Sequence, residues 1–153
     1  MKAAVIHAFG GPEQIRIEDI PTPTPGPGQV LVKVLAVGIN RLDHYVRLGQ
    51  INPHLLFPHI LGSDAVGEVA ELGAGVSRFA VGDRVITMPG YPTDPAEAHI
   101  RPVTATKSYA IPGTHIQGTY AQYVVVPEVW LLRDTSGLPV EQIAAMPVAL
   151  LIA

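Results

Sequence analysis

The chain has 153 residues, 48% hydrophobic and 15% charged, which supplies one buried core and is too apolar for a disordered polypeptide. A formal net charge of −3 gives no basic stripe for nucleic acid, and no apolar run reaches the length of a membrane span. With no cysteine, neither a disulfide framework nor a thiolate metal site can form.

The N-terminal "MKAAVIHAFGGPEQ" lacks the apolar core and cleavage site of a signal peptide, so a cytoplasmic protein without nucleic-acid or membrane partners is expected. "KAAVIHAFG" predicts a short strand ended by Gly10, Gly11 and Pro12, and "QIRIEDI" alternates at period two. "PTPTPGPG" (21–28) has too few amide donors for a ladder and reads as an extended loop. "QVLVKVLAVGI" (29–39) is the best strand, with Val30, Val32 and Val34 on one face and Leu31, Lys33 and Leu35 on the other. In "GINRLDHYVRLG" (38–49), Asn40 suits an N-cap and Asp43 the first turn, where it caps the helix or pairs with Arg47. Leu42, Tyr45 and Val46 form a one-sided apolar stripe on that short helix.

Further strands are predicted at 63–73 and within 81–88, then in "TYAQYVVVP" and "EVWLLRD", where Tyr123 and Trp130 read as structural. Residues 89–118 break every periodicity and hold several prolines, as long excursions with functional or partner contacts do. "LPVEQIAAMPVALLIA" opens a helix with Glu141 in its first turn, and it ends on an apolar run without a C-cap or a partner face. Many short strands and few short helices predict a mostly-β, partly open barrel.

Six histidines, at 7, 44, 54, 59, 99 and 115, show no metal-ligand spacing and most read as surface residues; His54 and His59 in the loop "INPHLLFPHI" are placed to act as proton donors, but surface-loop histidines are the better reading. Gly73 and Gly75 lack the third glycine of a dinucleotide fingerprint and precede a strand, so they read as a turn. No glycine-rich phosphate loop exists here, so most of any nucleotide site lies outside these residues.

Six motifs recur in order: "MKAAVI…GGPE", "PGPGQVLVKVLAVGIN", "D.Y.R.G", "P.ILGSDAVGEVAELGAGVSRFAVGDRV", "GTYAQYVVVP" and "EQIAAMPVALLIA". Over essentially the whole chain they resemble the N-terminal, GroES-like domain of the medium-chain dehydrogenase/reductase superfamily. The resemblance implies a GroES-like partly open β-barrel over 1–153, with a cysteine-free lobe at 89–118. It also implies a C-terminal helix leading toward a Rossmann cofactor domain that this chain does not contain. The chain then reads as a piece, a split product or a truncated form of an enzyme. NADPH or NADH would be held mainly by that second domain, in cis or in trans, and a homo-oligomer acting on a small carbonyl or quinone is implied.

Zinc members of the superfamily carry Cys at the position of Asn40 and His at that of Ser63, ligands that Asn and Ser replace poorly. Their lobe also carries four cysteines around a structural zinc, all missing at 89–118. No zinc is therefore expected, although a lobe of this length is closer to the zinc enzymes than to compact quinone reductases. Without metal, the lobe must be ordered by Pro-rich packing or a partner, or else be mobile.

Asn40, Asp43 and Tyr45 match the zinc-free quinone oxidoreductase motif "GIN..D.Y.R.G", which implies a cleft where Asn40 and Tyr45 face nicotinamide and substrate. Hydride delivery to a carbonyl builds negative charge on oxygen, which a hydrogen-bond donor or proton source must meet. Asn40 and Tyr45 are the candidate catalytic residues. Arg41, Asp43, Ser63 and Asp64 are the candidate lining of the substrate and cofactor cleft, and Pro58 with its loop shapes the pocket. Two rivals stand: a stand-alone, non-catalytic interaction module derived from the same domain, and a zinc alcohol dehydrogenase.

Overall fold

Alternating β-branched residues pair into antiparallel sheets because each strand must bury one face. The structure, a computed structural model, describes residues 1–151. Strand β1 (Lys2–Ile6) lies between β2 (Arg16–Asp19) and β4 (His59–Ile60). A five-stranded sheet has the order β10 (Leu131–Arg133), β6 (Arg84–Thr87), β5 (Asp64–Leu72), β3 (Gln29–Gly38) and β9 (Tyr123–Pro127). The sheets curl toward each other as a half-barrel, tied where Ala3 bridges to Ala121 and the Ala4 N–H donates to the Tyr120 carbonyl at 2.8 Å.

Val30, Val32, Val69, Val85 and Val126 fill the core beside Trp130 and Leu131. Strict alternation along β3 fails at Leu31, which is buried as well, because a register shift separates Leu31 from Val32 in the pairing with β5. The period-two pattern of β2 forms its strand but not a buried face: Ile17 is 69% exposed and lies along an open apolar groove with Leu35 and Ile39.

The excursion after β6 is ordered by its own contacts. Strands β7 (Tyr91–Pro92) and β8 (Tyr109–Ala110) pair, and the Glu97 carboxylate accepts from the Ser108 N–H at 2.9 Å and its hydroxyl at 2.6 Å. The Tyr91 ring stacks on Trp130 with centroids 6.0 Å apart, and the Arg101 guanidinium lies 5.9 Å from the Trp130 centroid. Trp130 sits in a 3-10 turn over Glu128–Trp130 rather than in a strand.

The helix expected from Leu138 onward is broken in two, α2 (Val140–Ala144) and α3 (Pro147–Leu151). Proline disfavours the helical conformation of the residue before it, so the second helix restarts with Pro147 in its first turn. The apolar segment does have a partner face: Ile143 and Ala144 pack on Val66, with Ala36 and Ile86 alongside. Residues 152 and 153 of the expected helix lie outside the described residues. No described helix is long and apolar enough to cross a membrane.

Candidate active site

Strand β3 ends at Gly38, directly opposite Asp64, the first residue of β5. Two residues later the chain turns at Asn40, whose extended backbone (φ −111°, ψ 154°) caps helix α1 (Arg41–Arg47). This register brings four side chains together. The Asp43 Oδ2 accepts from the Asn40 backbone N–H at 2.7 Å and from the Tyr120 hydroxyl at 2.7 Å. The Asn40 side-chain amide nitrogen donates to Asp64 Oδ2 at 2.9 Å, and Asp64 Oδ1 accepts from the Val148 N–H at 3.0 Å. The Thr119 hydroxyl donates to the Asp64 carbonyl at 3.0 Å, fixing the strand beneath. Gly38 permits this closeness, since a Cβ there would collide with the Ala144 carbonyl oxygen and crowd the Asp64 side chain.

Both carboxylates are sequestered: Asp43 is 5% and Asp64 0% exposed. Burial raises the pKa of Asp43, while the Asn40 N–H, the Tyr120 hydroxyl and the Gly62 backbone pull it back down. Burial also raises Asp64; hydrogen bonds from Asn40 and Val148 lower it, and the neighbouring Asp43 charge adds to the rise. Tyr120 is held above the ordinary phenol value by burial first and then by Asp43 and Asp64, so it stays a proton donor. Asp43 Oδ1 is buried without a hydrogen-bond partner.

The other expected site residues lie around this knot rather than in it. Arg41 is exposed, and its guanidinium donates to the Tyr45 hydroxyl at 3.0 Å. No hydrogen bond joins Tyr45 to Asn40. Ser63 is 0% exposed, and its hydroxyl donates to the Pro112 carbonyl at 2.9 Å. Asp43 does not pair with Arg47, which instead donates to the Gly10 carbonyl and contacts His44 Nδ1. His59 is a core residue at 3% exposure, with its Nε2 unpartnered, whereas the other five histidines are exposed. Burial lowers the His59 pKa, and a Gly113 backbone contact offsets part of that.

The donor chemistry does not suit a tetrahedral zinc. Asn40, Asp43 and Asp64 offer amide and carboxylate groups already engaged with one another, with no imidazole or thiolate beside them. Among the described residues no group of three or more His, Cys, Asp or Glu could hold a metal ion. Nor is there a glycine-rich turn opening a helix that could cradle a dinucleotide pyrophosphate.

Residues 26–136 match the alcohol dehydrogenase GroES-like domain family. The chain belongs to that family, within the medium-chain dehydrogenase/reductase superfamily. This GroES-like domain is 43% identical over 89 residues to a quinone oxidoreductase of Sus scrofa, a match covering 58% of the chain and 27% of the relative. It is 43% identical over 100 residues to a sorbitol dehydrogenase of Bacillus subtilis, covering 64% of the chain and 28% of the relative. A solved NAD-dependent alcohol dehydrogenase superposes with a TM-score of 0.88 at 41% identity, covering 96% of the chain and 43% of that structure. The chain thus spans less than half the length of these relatives.

Tyr120 is the site residue the sequence did not single out. Its signal was only an aromatic in "GTYAQY", 77 residues from the Asp43 it bonds, and no spacing rule connects positions so far apart.

Proposed function

We propose that this GroES-like domain is the substrate-binding part of a zinc-independent, NAD(P)H-dependent oxidoreductase that reduces a quinone, an enone or another small carbonyl compound. A Rossmann domain, joined in cis or supplied in trans, would hold most of the cofactor, and the whole would act as a homo-oligomer. The observation that carries this reading is the Asn40–Asp64 pair: an amide and a carboxylate, hydrogen-bonded to each other, where a zinc site would need thiolate and imidazole.

The nicotinamide, when bound, supplies the hydride. Charge then grows on the substrate oxygen and needs a donor. One Asn40 N–H is committed to Asp64, and the second N–H of the same amide meets the oxygen. The Tyr45 hydroxyl accepts from Arg41, so its own proton remains free to be given to the substrate oxygen. Asp43 and Asp64, being carboxylates, contribute by holding Asn40 rather than by touching the oxygen. Exposed Ile51, Leu56 and Phe57 on the loop after α1 favour apolar substrates. The names of the relatives span quinone reduction and sorbitol or alcohol oxidation, and both are hydride transfers at a carbonyl–alcohol or quinone–quinol pair.

The test is oxidation of NADPH and of NADH by the complete protein, followed spectrophotometrically against quinone and enone panels. Turnover with one class and one cofactor is expected. Silence across both classes with both cofactors would overturn the reading.

A further inference from the structure

We propose that Asp64 is a positioning residue, which sets the orientation of the Asn40 amide and links it to the first turn of α3. The inference rests on the functional reading given to Asn40 above. An asparagine amide has two nearly isosteric orientations, and which edge it shows a substrate depends on what holds the other edge. Here Asp64 Oδ2 is acceptor-only when ionised and 2.9 Å from the Asn40 nitrogen, so the NH2 group is drawn toward Asp64 and the flipped orientation would set oxygen against oxygen.

Asp64 is itself unable to move. It is 0% exposed, faces Gly38 in the strand register, has its carbonyl held by Thr119, and spends its second oxygen on the Val148 N–H. That second bond reaches across 84 residues to α3, so a displacement of α3 would pull on the carboxylate that orients Asn40. Arg84 and Arg133, the cations of the neighbouring strands β6 and β10, are engaged by Asp134 and Asp83, so neither competes for Asp64. Tyr120 and Asp43 fix the Asn40 backbone from the other side. The backbone of Asn40 and its side chain are thus held by different carboxylates: Asp43 takes the backbone N–H, and Asp64 takes the side-chain NH2, whose oxygen edge faces the Asp43 N–H in the capping box.

The test is a double-mutant cycle in the complete protein, with Asp64→Asn, Asn40→Ala and the pair. Kinetics and the Asn40 side-chain amide resonances, observed after selective asparagine labelling, are read together. Asp64→Asn is expected to lower kcat by about 10²-fold, the loss a misplaced group produces, with KM changed far less. The same substitution on the Asn40→Ala background is expected to add no further loss, and the Asn40 amide protons are expected to exchange faster in Asp64→Asn. Additive losses in kcat, or unchanged Asn40 amide protons, would overturn the proposal. If Asn40→Ala alone leaves kcat intact, the catalytic reading of Asn40 fails, and the amide resonances still decide whether Asp64 holds that side chain. Should Asp64→Asn not fold, Asp64→Glu keeps the charge on a longer stem, and a partial loss of kcat with displaced amide resonances is expected; wild-type values for both would contradict the role.

Discussion

Tyr120 and Asp43 make the clearest case at the scale of single residues. The Tyr120 hydroxyl is one of two donors to a carboxylate oxygen that is almost wholly shielded from water. Tyr120→Phe removes that donor and leaves Asp43 Oδ2 with the Asn40 N–H alone. A loss of about 1–3 kcal/mol is expected in urea unfolding, the cost of under-satisfying a buried acceptor. His59 gives a pH-dependent prediction. Its ordinary pKa of 6.5 is lowered in the fold, chiefly by burial, so the unfolded chain takes up the proton first on acidification. The stability it contributes is full above about pH 6.5 and is lost as the pH falls through the lowered native value. Asp43 and Asp64 have the opposite sign, because their raised pKa values give stability below the ordinary carboxylate range that is lost as the pH rises through them. The His59 contribution, read as the urea midpoint of the wild type relative to His59→Leu, should therefore fall between about pH 7.5 and about pH 5.5. A wild-type minus His59→Leu difference that stays constant between those pH values would contradict it. The surface expectation for His59 failed because "FPHI" looks like loop, while the pairing of Ile6 with His59 turns it into a strand, whose next residue, Ile60, is hydrogen-bonded by Gln117 and Gly118.

Elements were legible where local rules decide and obscure where distant packing does. The strand at 29–38 and the helix after Asn40 follow from periodicity and capping, and both stand where those signals put them. The break at Pro147 was missed, because the apolar run around it imitated a continuous helix. Helix α2 depends on Gly38, and Gly38→Ala would drive a methyl group into the Ala144 carbonyl. A loss of about 1–3 kcal/mol is expected from such overpacking, measured by thermal melting, with β1 and β2 undisturbed by hydrogen exchange. The lobe after β6 had no periodicity to read, since its order comes from Glu97 binding Ser108 and from one aromatic stack. Glu97→Ala should accelerate exchange at the Lys107 and Ser108 amides while the β3 amides keep their protection. Equal acceleration in both would show that the lobe is not an independent unit.

For the molecule as a whole, the half-barrel matters because it ends two strands at one place. Gly38 closes β3 and Asp64 opens β5, and everything assigned to the chemistry sits within a few residues of that crossing. The motif order made the family readable. The knot itself was not, because Asn40, Asp64, Tyr120 and Val148 come from four separate segments and only the folded sheet gathers them. Hydride transfer at this gathering without a metal, as proposed above, is open to direct test. The most direct measurement is NAD(P)H oxidation by the complete protein before and after exhaustive chelation, with Asn40→Ala beside the wild type. The rate is expected to survive chelation and to fall about 10²-fold or more in Asn40→Ala, as when a donor to a developing oxyanion is removed. A rate that vanishes on chelation and returns with added zinc would contradict it.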